Sequence, residues 1–275
     1  FVFSYMPIYG VIIAFKNFQP GLGIWGSEWV GLEYFREYLT DPSFWILVRN
    51  TIVLGLGQIA FVFPCPIVFA LLMNEIQSKT GQRIVQNISY LPHFISVVVV
   101  ASMCSTFLAS DGIVNELLVA MGGESHLFMQ DPAWFRPVYW LSSLWQELGW
   151  SAIIYVAALT NVDEQLYEAA VIDGANRWQQ TLHVTLPAIK PTIAIMFIMA
   201  VGNIMSVSFE KVLLLQNELT YDVSDVISTF VYRKGLSGGQ YSYSTAIDLF
   251  STVTNFAMLL VANRICRLLG ESSLW

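Results

Sequence analysis

Charge is what this chain has least of. Of its 275 residues, 13 are Lys or Arg and 20 are Asp or Glu, 12% in all, against roughly 25% in an ordinary soluble domain. Together with 55% hydrophobic residues, that scarcity excludes a typical water-soluble enzyme. It also excludes disorder, which requires few apolar residues and many charges. Basic residues are the rarer sign, and a net charge of −7 argues against nucleic acid as a partner, because phosphate backbones demand a basic surface. Cysteine is nearly absent. Cys65, Cys104 and Cys266 lie far apart in apolar runs with no CxxC, so neither a metal site nor a disulfide framework is indicated. A phosphate loop of the form GxxxxGKS/T and an HExxH pair are missing too; these are the spacings that cradle a nucleotide or hold zinc.

Long apolar runs are what the chain has instead. A bilayer core is about 30 Å thick and a spanning helix needs about 20 apolar residues. Six stretches qualify as candidate spans, at about 1–15, 45–74, 86–109, 137–160, 190–215 and 244–266. The first is short and begins with neither an initiator Met nor a basic leader, so it is expected to be a span whose beginning is missing. No linker or low-complexity tract separates the runs. The expectation is an all-α membrane protein, one six-helix transmembrane domain over residues 1–275 with a loop at 161–189. Ile113–Met121 is expected to form a short helix outside the spans, closed by Gly122 and Gly123. Lys and Arg divide six against seven between the two sets of loops, so the positive-inside rule assigns no orientation.

The loop after the fourth candidate span is the most patterned part of the sequence. It reads Glu168-Ala169-Ala170-Val171-Ile172-Asp173-Gly174-Ala175 and, further on, Val184-Thr185-Leu186-Pro187. Asn161 with Glu164 three residues later predicts a capping box. Leu166, Tyr167, Ala169, Ala170 and Ile172 predict one short helix with a compact apolar surface, and Gly174 can adopt the left-handed conformation that ends it. A second short helix is expected over Arg177 to Val184, followed by Pro187 and Pro191 in the first turn of the fifth span, where proline is tolerated. Paired alanines admit a close backbone, and Glu168 and Asp173 can meet cations on a partner. Such a helix–turn–helix at a membrane surface is shaped to dock into a groove.

This spacing resembles the EAA loop of binding-protein-dependent ABC importer permeases of type I, with Val184 where the family usually carries Ile. Phe3–Phe18, Tyr90–Val100, Tyr241–Ala246 and Glu271–Trp275 resemble the carbohydrate-uptake branch of the same family. The resemblance implies a permease subunit that imports a carbohydrate, an oligosaccharide, by alternating access. Its coupling residues would be Leu166, Tyr167, Glu168, Ala169, Ala170, Asp173, Gly174, Leu186 and Pro187, seated in a cleft of an ATPase. The implied partners are a second, homologous permease subunit, a cytoplasmic ABC ATPase dimer, an extracellular solute-binding protein and membrane lipid. The chain itself would hold no cofactor and catalyse nothing, with ATP and Mg on the ATPase. The loop at 161–189 would be cytoplasmic and the protein a multi-pass component of the cell membrane. Leu236-Ser237-Gly238-Gly239-Gln240 spells the signature of ABC ATPases, but without a phosphate loop, and on the side opposite the EAA loop, it is expected to be an ordinary turn.

Polar residues inside the spans form stripes. A carboxylate at the bilayer centre costs at least about 2.5–3.5 kcal/mol, so those present are expected to face protein or water. Candidates for lining a translocation path are Gln58, which shares a face with Asn50; Ser143 and Glu147; Asn203, Ser206 and Glu210 at helical spacing; and Asp248, Ser251 and Asn255, continuing from Ser244. Sugars suit such a path, since hydroxyls pair with amides and carboxylates and pyranose faces stack on Trp140, Trp145 or Trp150. The same stripes could instead hold a second permease. His93 is expected to be a packed or helix-end residue. Import of another polar solute, an ion-coupled carrier and an intramembrane enzyme are the alternatives. For the last, Gly149-Trp150-Ser151 offers a serine, but no later span supplies a histidine as its base.

Overall fold

In lipid a backbone has only itself to bond to, and the helix is the local solution. A computed structural model of the chain, describing residues 5–268, 270, 273 and 274, is accordingly built of helices joined by short turns. Strand among the described residues is one antiparallel pair, Lys16 opposite Trp29 and Asn17 opposite Glu28. Among the described residues three helices are long and apolar enough to cross a bilayer: Phe44–Asn74, Arg177–Gly202 and Tyr241–Leu268. A fourth crossing exists if Lys79–Phe94 and Val97–Phe107, bent by 95° at their junction, act as one span. Pro132–Leu159 has the length, 28 residues, or about 42 Å at 1.5 Å per residue, but its polar content keeps it out of that set. Met6–Phe15 is a ten-residue 3-10 helix; residues 1–4 of the expected first span, and residues 271, 272 and 275 of the terminal segment, lie outside the described residues.

The fifth span differs most from expectation. The helix does not start near residue 190: it runs from Arg177 to Gly202 with Pro187 and Pro191 inside it. Pro187 is accommodated because Thr181–Thr185 forms a widened turn, in which the Leu186 N–H bonds to the Thr181 carbonyl five residues back. A proline lacks the N–H of the regular ladder and its ring crowds the carbonyl four residues earlier; a widened turn relieves both. The same device stands before Pro64, where the Phe63 N–H reaches the Gln58 carbonyl at 2.8 Å. At the other end, residues 203–208 leave the helix altogether before Phe209–Leu215 resumes it.

The chain divides into two compact units whose boundaries fall within or at the ends of helices. The first comprises residues 1–55, 107–136 and 203–258. Its core is aromatic: Tyr38 meets Phe44 and Phe250 edge-on at 5.0 and 5.6 Å, beside buried Leu47, Val226, Phe230 and Ile247. Inside this apolar setting lies a polar hub. Asn50, wholly buried, donates to the carbonyls of Asp222 and Asp225 at 3.1 and 3.0 Å. Asp225 holds Arg233 through both carboxylate oxygens, at 3.3 and 2.6 Å, and accepts from Thr229; this pairing raises the Arg233 pKa above its ordinary value.

The second unit comprises residues 56–106, 137–202 and 259–275. Ala70, Ala152, Tyr155, Leu159 and Ile189 form its main core, and Ile198, Ala262 and Cys266 a smaller one. Small residues let its helices approach. A Cβ at Gly149 would collide with the Ser89 carbonyl, so this glycine brings two backbones together, as small residues do in membrane helix packing. The glycine of the Gly149-Trp150-Ser151 triplet therefore has a packing role.

Candidate functional site

The 161–189 loop begins with a cap, though not the expected one. Asp163, not Asn161, caps Glu164–Ile172: its carboxylate accepts the Gln165 N–H at 2.9 Å. The Asn161 amide instead donates to the Ala157 carbonyl at 3.1 Å, within the end of the preceding helix. Asp163 succeeds because its carboxylate lies two residues closer to the free N–H groups and its charge suits the helix dipole. The helix ends as the sequence requires. Gly174 has φ +79°, the Gly174 N–H bonds to the Val171 carbonyl at 3.0 Å and the Ala175 N–H to the Ala170 carbonyl at 2.9 Å. This is a Schellman ending, which needs a left-handed residue. Asn176 and Gln179 then form a reciprocal capping box. Only four residues, Arg177–Gln180, are regular before the widened turn, so the expected second helix is instead the leading end of the Arg177–Gly202 rod. The Tyr167 hydroxyl and Thr185 Oγ1, 3.0 Å apart, fasten the short helix to that rod.

Its local polar groups satisfied, the loop presents apolar side chains outward. Leu166 is 51% exposed, Val171 61%, Ile172 85% and Trp178 69%. Glu168, Ala169, Asp173, Gly174 and Pro187 are also exposed, while Tyr167, Ala170 and Leu186 are half-buried. Neither Glu168 nor Asp173 has a side-chain bond among the described residues. A rigid, capped helix with an uncovered apolar face flanked by unpaired carboxylates has the make-up of an interaction surface. Val171 and Ile172 are exposed on that helix as Ala169 is, and Trp178 is exposed at the start of the next; their size in so short a loop was the signal for them.

The polar residues of the spans are put to several uses. Asn203, Ser206 and Glu210 do not form a helical stripe: Asn203 and Ser206 lie in the unwound 203–208 segment and Glu210 in the first turn beyond it. The broken backbone needs partners, and Asn255 supplies them. Its Oδ1 accepts the Met205 N–H at 2.9 Å and its Nδ2 donates to Ser206 Oγ at 2.9 Å. Ser251 is buried and bonds back to the Ile247 carbonyl at 3.2 Å, and Ser244 is buried on the Val231 carbonyl. Asp248 is exposed and lines a cleft of about 350 Å³ with Phe209, Ser228, Tyr232, Tyr241 and Thr245. These residues all belong to the first unit.

In the second unit Glu147 meets His93 at 2.9 Å, and the His93 ring lies flat on Trp150 at 4.3 Å. Beside them Gln146 donates to the Ile95 carbonyl at 2.9 Å, at the 95° bend. Ser143 is buried. Gln58 is half-buried and begins a widened turn, in a different unit from Asn50. Sequence reasoning set His93 apart from Glu147 and passed over Gln146. A polar side chain in one span and a proline-marked break in another, here Pro92, were the available signals.

Residues 63–267 match the family described as binding-protein-dependent transport system inner membrane component. The whole chain is also 45% identical over 275 residues to the polygalacturonan/rhamnogalacturonan transport system permease protein YteP of Bacillus subtilis (strain 168), covering 86% of that protein. The chain belongs to this family. Members are permease subunits of ABC transporters, multi-pass membrane proteins that are not themselves catalytic. Among solved structures, the permease is similar to a bacterial ABC transporter involved in the import of the acidic polysaccharide alginate, with a TM-score of 0.89 and 41% identity over 97% of this chain and 90% of that one. It is similar also to the alginate ABC transporter in complex with an alginate pentasaccharide-bound periplasmic protein, with a TM-score of 0.91 and 39% identity over 99% and 91% of the two chains.

Proposed function

We propose that this permease imports a carbohydrate, an oligosaccharide, into the cytoplasm by alternating access, driven by a partner ATPase. The observation that carries the proposal is the capped Glu164–Ile172 helix with Leu166, Val171 and Ile172 bare in solvent. An apolar face held rigid at both ends transmits displacement instead of absorbing it. The face sits in the cleft of a cytoplasmic ABC ATPase dimer, with Glu168 and Asp173 against cations at its rim, which places the 161–189 loop in the cytoplasm. Movement of the docked helix passes through the Tyr167–Thr185 bond into the Arg177–Gly202 rod. ATP and Mg are held by the ATPase and this chain binds neither.

A second, homologous permease completes the passage, and an extracellular solute-binding protein delivers the sugar. Six crossings result if Met6–Phe15 and Pro132–Leu159 join the apolar helices. Asp248 and its cleft, with Tyr232 and Tyr241, supply what a sugar needs: a carboxylate to accept hydroxyl bonds and aromatic faces to stack on. Support for carbohydrate as the solute comes from the relatives, whose names give pectic polysaccharides and alginate as their cargo. Cross-linking tests the docking. An Ile172→Cys variant paired with a cysteine in the ATPase cleft is expected to form an adduct in native membranes. Absence of the adduct, with residue 172 equally reactive to a thiol reagent whether or not the ATPase is bound, would refute the reading.

A further inference from the structure

Near the start of the Phe44–Asn74 helix, two guanidinium groups converge on one neutral oxygen. Arg49 Nη2 lies 3.3 Å and Arg136 Nη2 3.2 Å from Asn50 Oδ1. The amide cannot turn over, because its nitrogen is committed to the Asp222 and Asp225 carbonyls. Arg49 donates further to the main-chain carbonyl of Asp222 at 2.6 Å. Among the described residues neither guanidinium meets a carboxylate: Asp225 is engaged by Arg233, and Asp222 offers Arg49 and Asn50 only its backbone. Arg136 is left with a buried Nε–H that has no partner.

Two like charges gathered around a buried amide, without a counter-ion and with a donor unsatisfied, form an arrangement that an anion completes. Guanidinium forks match carboxylate in geometry as well as charge. We infer that Arg49 and Arg136 form a carboxylate site that takes a uronate residue of an acidic oligosaccharide at the outer mouth of the permease. This rests on the transport reading above, which places this end of the chain outside. A saccharide carboxylate is favoured over an acidic protein side chain because relatives are named for polygalacturonan and for alginate as an acidic polysaccharide.

The test is calorimetric binding of trigalacturonate and of its methyl ester to the permease assembled with its partners in nanodiscs at low salt. The acid is expected to bind about tenfold or more tightly than the ester, the scale of one charge-assisted hydrogen bond. Arg49→Gln and Arg136→Gln should each remove that preference, and Arg49→Lys should keep part of it. Arg136 also contacts the Asn50 hub, so Arg49→Gln, at an exposed side chain, decides the matter if Arg136→Gln fails to assemble. Equal affinity for acid and ester in the unaltered protein would overturn the proposal. So would unchanged trigalacturonate binding in Arg49→Gln, including the case in which that variant loses affinity only for the solute-binding protein. Charge-selective saccharide binding without an Ile172 cross-link would sustain this site while refuting the docking; the cross-link without charge selectivity would do the reverse.

Discussion

The coupling loop and the Asn50 hub solve opposite problems. In the loop, polar groups close on neighbours a few residues away and apolar side chains are left outside: Asp163 caps Gln165, Asn176 pairs with Gln179, and Ile172 stands 85% exposed. In the hub, apolar side chains enclose polar ones whose partners are 172 and 175 residues distant in sequence. One region is complete by itself and offers a surface; the other exists only once distant segments have met. Function is expected to fail first in the loop, and folding first in the hub.

Substitutions can break that division. The largest loss of stability is expected from Asn50→Leu, which takes the Asn50 donor from the Asp225 carbonyl, leaves the Asp222 carbonyl to Arg49 alone and removes the shared acceptor of Arg49 and Arg136. Each unsatisfied buried group costs about 1–3 kcal/mol, so detergent or denaturant unfolding should register a loss of about 3 kcal/mol or more. A fully assembled Asn50→Leu transporter of normal stability would erase the contrast. Gly174→Val comes next. A left-handed β-branched residue costs about 1–2 kcal/mol, and the φ of +79° requires that conformation even though no neighbour crowds the site. Uptake should uncouple from ATP hydrolysis in a paired transport and phosphate-release assay. Gly174→Asn, which tolerates the left-handed region, should retain most coupling.

Tyr167→Phe removes the link to Thr185 and is expected to cost about 0.5–1.5 kcal/mol, with a larger effect on coupling than on thermal stability. Ile172→Ser sharpens the comparison from the other side. At an exposed position the stability change should stay within about 0.5 kcal/mol, while ATPase binding in a pull-down weakens. The smallest effect concerns acid. The Ala133 N–H first, and His126 second, hold the Asp131 carboxyl below its usual pKa. A depressed carboxyl stabilises the fold above the ordinary carboxylate range, about pH 4, and that contribution fades as pH falls through the lowered value. Asp131→Asn should flatten the acid limb of a pH–stability curve slightly.

The loop was legible because its bonds are local. Gly174 as a left-handed terminator and the short helix before it both follow from adjacent residues. The cap was misplaced by two positions, since Asn161 and Asp163 are both good caps and only the end of the preceding helix decides between them. The hub was illegible for the complementary reason: nothing near Asn50 in sequence announces Asp222 or Asp225. The 203–208 break hid in a charge-free run, because the residue that stabilises it, Asn255, lies on another helix. Gln146 does the same for the bend at Ile95. Polar side chains that look like a lining in sequence therefore divide into those bonded to a neighbour's broken backbone and those, such as Asp248, that still face a cleft.

The widened turns at Gln58–Val62 and Thr181–Thr185 carry one more implication. Each inserts a residue's worth of rotation, about 100° about the axis, so a helical wheel drawn straight through either turn misplaces everything beyond it. Asn50 and Gln58 fall within about 80° of each other on such a wheel, yet Gln58 already begins the turn. A scan of tolerated substitutions along Phe44–Asn74 should therefore show two periodic patterns out of phase, with the slip falling between Gln58 and Val62.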